Sequence, residues 1–175
     1  MVYLIVLAAV LARFAIVHPT NFSPVYAALL FAGAFLKKRD SLWYPLGIIA
    51  VCDFLLTLGI YRTSFHWVYM LNLLAFAAII PVGWWLRGRT SVGRVFAAAL
   101  AGPTVFFVVS NLMVWAGGLL YPRTAAGLTA CFALAIPFYG NTLASGVLFS
   151  AILFGGYEYY RRKVAQPPSL PATLG

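Results

Sequence analysis

Long apolar runs with widely spaced interruptions constrain this chain's fold more than any other feature of its sequence. A hydrocarbon core about 30 Å thick takes roughly 20 residues of helix to cross, within a range of about 17–25. Residues 1–17 are apolar apart from Arg13, and His18-Pro19-Thr20-Asn21 ends the run. Residues 22–36 make a shorter run, closed by Lys37-Lys38-Arg39-Asp40. Residues 42–61 follow, with one acid at Asp53, and then 67–86, leading to Arg87, Arg89 and Arg94. Residues 95–116, 125–139 and 141–160 complete the series, the last ending at Arg161-Arg162-Lys163. Composition agrees: 63% of the chain is hydrophobic and 9% is charged, against about 25% charged in soluble domains. Too little polar surface remains to cover a water-facing fold, so the expected class is an all-α, polytopic membrane protein.

Orientation follows from the cations. Nine of the twelve Lys and Arg residues lie in three clusters, at 37–39, 87–94 and 161–163. Arg62 and Arg123 lie in the alternate loops, and Arg13 lies within a run. Because cytoplasmic loops are enriched in Lys and Arg, this asymmetry predicts six spans with both termini inside. It makes 125–139 a short extra helix in the outer loop between helices 5 and 6, since a further crossing would put Arg161–Lys163 outside. The expected organisation is one transmembrane domain over 1–163 and a disordered cytoplasmic tail over 164–175, where three prolines fall. A net charge of +9 then reflects topology, and no nucleic-acid partner is expected. The first run lacks a basic leader and is interrupted by Arg13, so it reads as a permanent helix, not a cleaved signal.

Polar groups inside lipid are costly and mark candidate sites. At about 1.5 Å per residue, Arg13 sits about 6 Å and Asp53 about 12 Å below the outer ends of their runs. Asn72 and Asn111 sit about 8 Å below theirs, and Asn141 opens the last run. The outer connections add His18, Asn21, Arg62, His66, Tyr121, Arg123 and Tyr139. This crowding toward one face predicts a pocket open to the outside and closed below.

Two readings stand for most of these residues. Arg13 and Asp53 form either a structural ion pair or ligand contacts. Asn72 and Asn111 are either interhelical hydrogen-bond glue or ligand donors, and Trp115 shares a helical face with Asn111, which suits a planar ligand. His18 and His66 have no local metal-ligand spacing, and Cys52 and Cys131 read as packed thiols, so neither a metal nor another cofactor is expected. Ala8, Ala12 and Ala15 form a small-residue stripe that either packs internally or docks a partner. GxSxG, HExxH and Walker A motifs are absent, so the chain is not expected to be an enzyme.

Three stretches carry a resemblance: His18-Pro19-Thr20-Asn21-Phe22-Ser23-Pro24-Val25, Trp115-Ala116-Gly117-Gly118-Leu119-Leu120-Tyr121-Pro122-Arg123-Thr124, and Ala135-Ile136-Pro137-Phe138-Tyr139-Gly140-Asn141-Thr142. Across roughly 1–160 the chain resembles a family of small bacterial membrane proteins. More distantly it is similar to the substrate-binding S-components of energy-coupling-factor (ECF) vitamin transporters. That second resemblance implies a bacterial inner-membrane protein that binds a small solute, such as a vitamin or cofactor precursor, near the outer face. It also implies that Ala8 and Ala12 dock a transmembrane coupling protein served by separate ATPase subunits. The alternative is a non-transport structural or assembly protein that packs through its small-residue helix faces.

Overall fold

The computed structural model describes residues 1–15, 21–57 and 68–165. Every regular element among them is helical: α1 (Val2–Leu11), extended by a 3-10 turn at Ala12–Phe14, α2 (Val25–Phe35), α3 (Lys38–Leu55), α4 (Val68–Ala77), α5 (Ile80–Trp84), α6 (Val92–Gly117) and α7 (Ala125–Ala165). The expected all-α class is observed. Two helices, α6 and α7, are long and apolar enough to cross a membrane, and shorter apolar helices accompany them.

The centre of the bundle is α2, whose residues from Val25 to Ala34 are all buried. Apolar and small residues all round suit a helix with neighbours on every side. Tyr26 meets Phe76 and Phe106 at ring distances of 6.1 and 5.2 Å, and Phe31 meets Phe154 and Tyr157 at 5.2 and 5.3 Å. On the α5 side the two backbones touch. A Cβ on Gly33 would lie 2.7 Å from the Ile80 carbonyl oxygen, and one on Gly83 would lie 2.5 Å from that of Leu30. Glycine lets the helices approach this closely because it has no Cβ to hold them apart.

Side-chain contacts set the helix directions. Tyr3 stacks edgewise on Tyr44 at 5.0 Å while Arg13 meets Asp53 at 2.6 Å, so α1 and α3 run parallel. Phe22 meets Phe149 and Phe35 meets Tyr157, so the α2 segment and α7 also run parallel. Thr104 bonds Tyr139 at 2.7 Å and Cys131 approaches Asn111, so α6 and α7 are antiparallel. The three cationic clusters consequently gather at one end. There Lys38 lies over Trp84, Arg87 donates to the Leu36 carbonyl, Arg94 donates to the Trp85 carbonyl, and Arg161 lies over Tyr157.

The chain departs from the expected segmentation in two places. The run 67–86 is broken into α4 and α5, with a turn at Ala78-Ile79. Pro81 has no N–H for the helix to use, and Val82 and Gly83 restart the pattern from the Ile79 carbonyl. The expected short helix at 125–139 and final span at 141–160 are instead one helix of 41 residues, about 60 Å long. Pro137 removes a backbone hydrogen bond but does not end the helix. Phe107 of α6 holds Phe132 on one side of the proline and Tyr139 on the other, at 5.6 and 4.5 Å. Because α7 runs in one direction, Arg161–Lys163 still fall at the cationic end. Val164 and Ala165 belong to α7, and the rest of the expected tail, 166–175, lies outside the described residues.

Candidate functional site

At the end remote from the cations, α6 closes on Gly118, whose φ of 68° is the left-handed C-terminal stop glycine provides. The following turn is tied by its own side chains. Trp115 Nε1 donates to the Thr124 carbonyl at 3.1 Å, Arg123 donates to the Gly117 carbonyl at 3.3 Å, and Thr124 Oγ1 accepts from the Gly127 N–H at 3.1 Å. The last of these bonds caps the first turn of α7. Gly127 is required there, since a Cβ would lie 2.0 Å from the Pro122 carbonyl oxygen.

Beneath this turn lies a cavity of about 300 Å³. Phe106, Phe107, Ser110, Asn111 and Val114 of α6 form one wall, and Cys131, Leu134, Ala135, Phe138 and Thr142 of α7 form the other. Asn21, Asn72, Leu120 and Tyr121 complete the lining. Asn21 precedes α2 with φ of 63°, a conformation asparagine tolerates better than most residues. Within the cavity Asn111 Nδ2 donates to the Phe107 carbonyl at 2.8 Å. The Cys131 thiol faces the Asn111 backbone and side-chain oxygens at 3.5 and 3.7 Å. Ser110 and Thr142 hydroxyls return to the Phe107 and Phe138 carbonyls at 3.3 and 3.0 Å. Each amide or hydroxyl keeps further hydrogen-bonding capacity beyond these bonds, and among the described residues the lining carries no formal charge. Polar groups set among aromatic walls suit a small ligand with a flat apolar part and a few hydrogen-bonding groups.

The structure therefore brings together Asn21, Asn72, Asn111 and Tyr121 among the expected site residues. Others lie elsewhere. Arg13 and Asp53 face each other between α1 and α3 at 2.6 Å with their side chains about four-fifths buried. Tyr139 bonds Thr104 within the α6–α7 interface, and Trp115 and Arg123 tie the turn. Asn141 lies within α7, outside the cavity lining. His18, Arg62 and His66 fall outside the described residues. Ala8 and Ala15 are exposed and Ala12 is half-buried. Sequence reasoning did not place Ser110, Thr142 or the three phenylalanines in a site, and it treated Cys131 as packing. Hydroxyls and rings are common in apolar helices, and only the α6–α7 register shows which of them converge. Among the described residues no three His, Cys, Asp or Glu side chains gather as a metal site would require.

Fold and cavity together define an all-α protein with two helices of membrane-crossing length and a polar-lined pocket between them. The chain belongs to the Family of unknown function (DUF6580), whose model matches residues 1–170. No curated protein and no solved structure matches it.

Proposed function

We propose that the chain is a multi-pass membrane protein of the bacterial inner membrane and serves as a solute-binding subunit similar to an ECF S-component. In this reading six segments alternate in direction: α1 with its 3-10 turn, α2 with the residues before it, α3, α4 with α5, α6, and α7. Exposed apolar surface supports the placement. The most apolar windows of α6 and α7 are only 28% and 17% buried, and within these helices Phe96, Leu134 and Ile152 are exposed by 54%, 62% and 55%. A soluble core helix would hide such residues. At 11 residues, α2 extends only about 16 Å. Protein surrounds it, however, so non-helical backbone beside it is sheltered from lipid.

The cavity is the observation that carries the binding role. Its volume of about 300 Å³ falls at the small end of ligand sites, roughly 300–1,000 Å³. An isolated carboxylate would lose its hydration there without a cationic partner in the described lining. The preferred solute is accordingly small, uncharged and partly planar. Asn111, Ser110 and Thr142 hydrogen-bond it, and Phe106, Phe107 and Phe138 flank its ring. In the same reading the exposed α1 face of Leu4, Ala8, Leu11 and Ala15 receives a transmembrane coupling partner, with ATP hydrolysis left to other subunits.

Mass spectrometry of protein purified in mild detergent tests the binding role. A stoichiometric small molecule is expected from the wild type, reduced at least tenfold in Asn111→Ala and retained in Trp115→Phe. Absence of any co-purifying or rebinding solute would leave the assembly-protein alternative in its place.

A further inference from the structure

At the cationic end a second cavity, about 600 Å³, opens between the start of α6 and the later part of α7. We propose that it binds the phosphate and glycerol-ester portion of an anionic phospholipid of the cytoplasmic leaflet. This inference rests on the bilayer placement above but not on the outer cavity or its solute.

Its lining grades from apolar to polar. Phe96, Ala99 and Val147 form the deep part, and Thr90, Ser91, Glu158 and Arg162 form the mouth. Ser91 is the N-cap of α6, and its side chain makes no capping bond. The first backbone N–H groups of that 26-residue helix are therefore left without intrahelical acceptors. Phosphate oxygens suit such a terminus. Independently, Ser150 lines the cavity with 1% exposure, and its hydroxyl is buried without a hydrogen-bond partner among the described residues. A buried hydroxyl without a partner is costly, and an acyl ester carbonyl would accept a hydrogen bond from it.

The heights also match. Gly146 of α7 lies against Ala99 and Pro103 of α6, so the antiparallel register brings Ser91 level with the Phe154 region. Ser150 then lies about 6 Å deeper, as the esters of a phospholipid lie below its phosphate. Charge selects the headgroup. Within the lining Glu158 pairs with Arg162 at 3.0 Å, and beyond the lining Arg161 and Lys163 follow on the same helix end and Arg94 on α6. Basic clusters at the cytoplasmic interface attract anionic lipid. A diacyl lipid fits this gradient because its acyl chain leaves past Phe96 and Ala99 into the bilayer.

Native mass spectrometry of the full chain, extracted from vesicles of equal phosphatidylglycerol and phosphatidylcholine, tests the assignment. Wild type is expected to retain one phosphatidylglycerol at least fivefold above phosphatidylcholine. Gly155→Phe places a ring in the groove from a position where an added Cβ meets nothing within 4 Å, and should bring the ratio to that of the vesicles. Ser150→Ala with Arg162→Gln should do the same without added bulk. Equal retention of both lipids by wild type, or enrichment unchanged in folded variants, would overturn the proposal. So would a wild-type dimer that Gly155→Phe dissociates, because a second copy would then fill the groove. Solute retained by the outer cavity should be unaffected throughout, which separates failure here from failure of the solute-binding reading.

Discussion

Single atoms decide several features of this protein. At the α2–α5 crossing, Gly33 and Gly83 face backbone rather than flexible side chains, so neither neighbour can move aside for a methyl group. Gly33→Ala and Gly83→Ala should each destabilise the fold by about 1–3 kcal/mol or more, in line with overpacked cores. A lowered thermal midpoint in detergent would register this; an unchanged midpoint would show that the crossing is looser than described. The Arg13–Asp53 pair allows a sharper comparison. Removing one partner strands a charge and costs up to about 3–5 kcal/mol when burial is complete, somewhat less with about a fifth of each side chain accessible. Arg13→Leu should therefore destabilise more than Arg13→Leu combined with Asp53→Leu. If the double variant proved no better than the single one, the contact would be energetically idle. Both residues were legible as costly charges within apolar runs, and the sequence left an ion pair and ligand contact as alternatives; the contact itself is seen only in the fold. Asn111 and Trp115 share a helical face at i, i+4, but of the two only Asn111 lines the cavity. Asn111 reaches the cavity, whereas the indole N–H is held by Thr124.

At the scale of elements, α7 shows how tertiary contacts override a local stop signal. Pro137 followed by Gly140 reads as a break, and an isolated helix would bear about 3 kcal/mol from the proline and about 1 from the glycine. Contacts with α6 on both sides of the proline hold the axis together. Spin labels at Ala126 and Tyr159, in a background lacking Cys52 and Cys131, should lie about 50 Å apart if the helix is continuous. A re-entrant 125–139 segment folded back toward the last span would shorten that distance by a third or more. The break between α4 and α5 has the same kind of cause with the opposite result. Pro81 falls where Gly83 must meet α2, and the interrupted helix brings the two backbones into contact. Prolines were visible in the sequence, but what each one does depends on the neighbour that supports or exploits it.

For the whole molecule, charge organises the ends. Contacts among Lys38, Trp84, Arg87, Leu36, Arg94 and Trp85, together with Phe35 against Tyr157 beside Arg161, place representatives of all three cationic clusters at one end. With that side cytoplasmic, Leu120→Cys should react with a membrane-impermeant maleimide in intact cells, and Gly88→Cys only after permeabilisation. The reverse pattern would invert the proposed topology, and labelling of both would remove it. The sequence by itself determined the helical class and the separation of the cationic clusters from the asparagines, because these depend on hydropathy and on local periodicity. It also placed Asn21, Asn72, Asn111 and Tyr121 near one face. The tertiary structure alone decided that these four share a cavity with Ser110, Cys131 and Thr142, that Arg13 and Asp53 pair, and that α7 continues through its proline. Those outcomes depend on helix register and close approach, and interactions between residues distant in the chain leave no periodic trace in it.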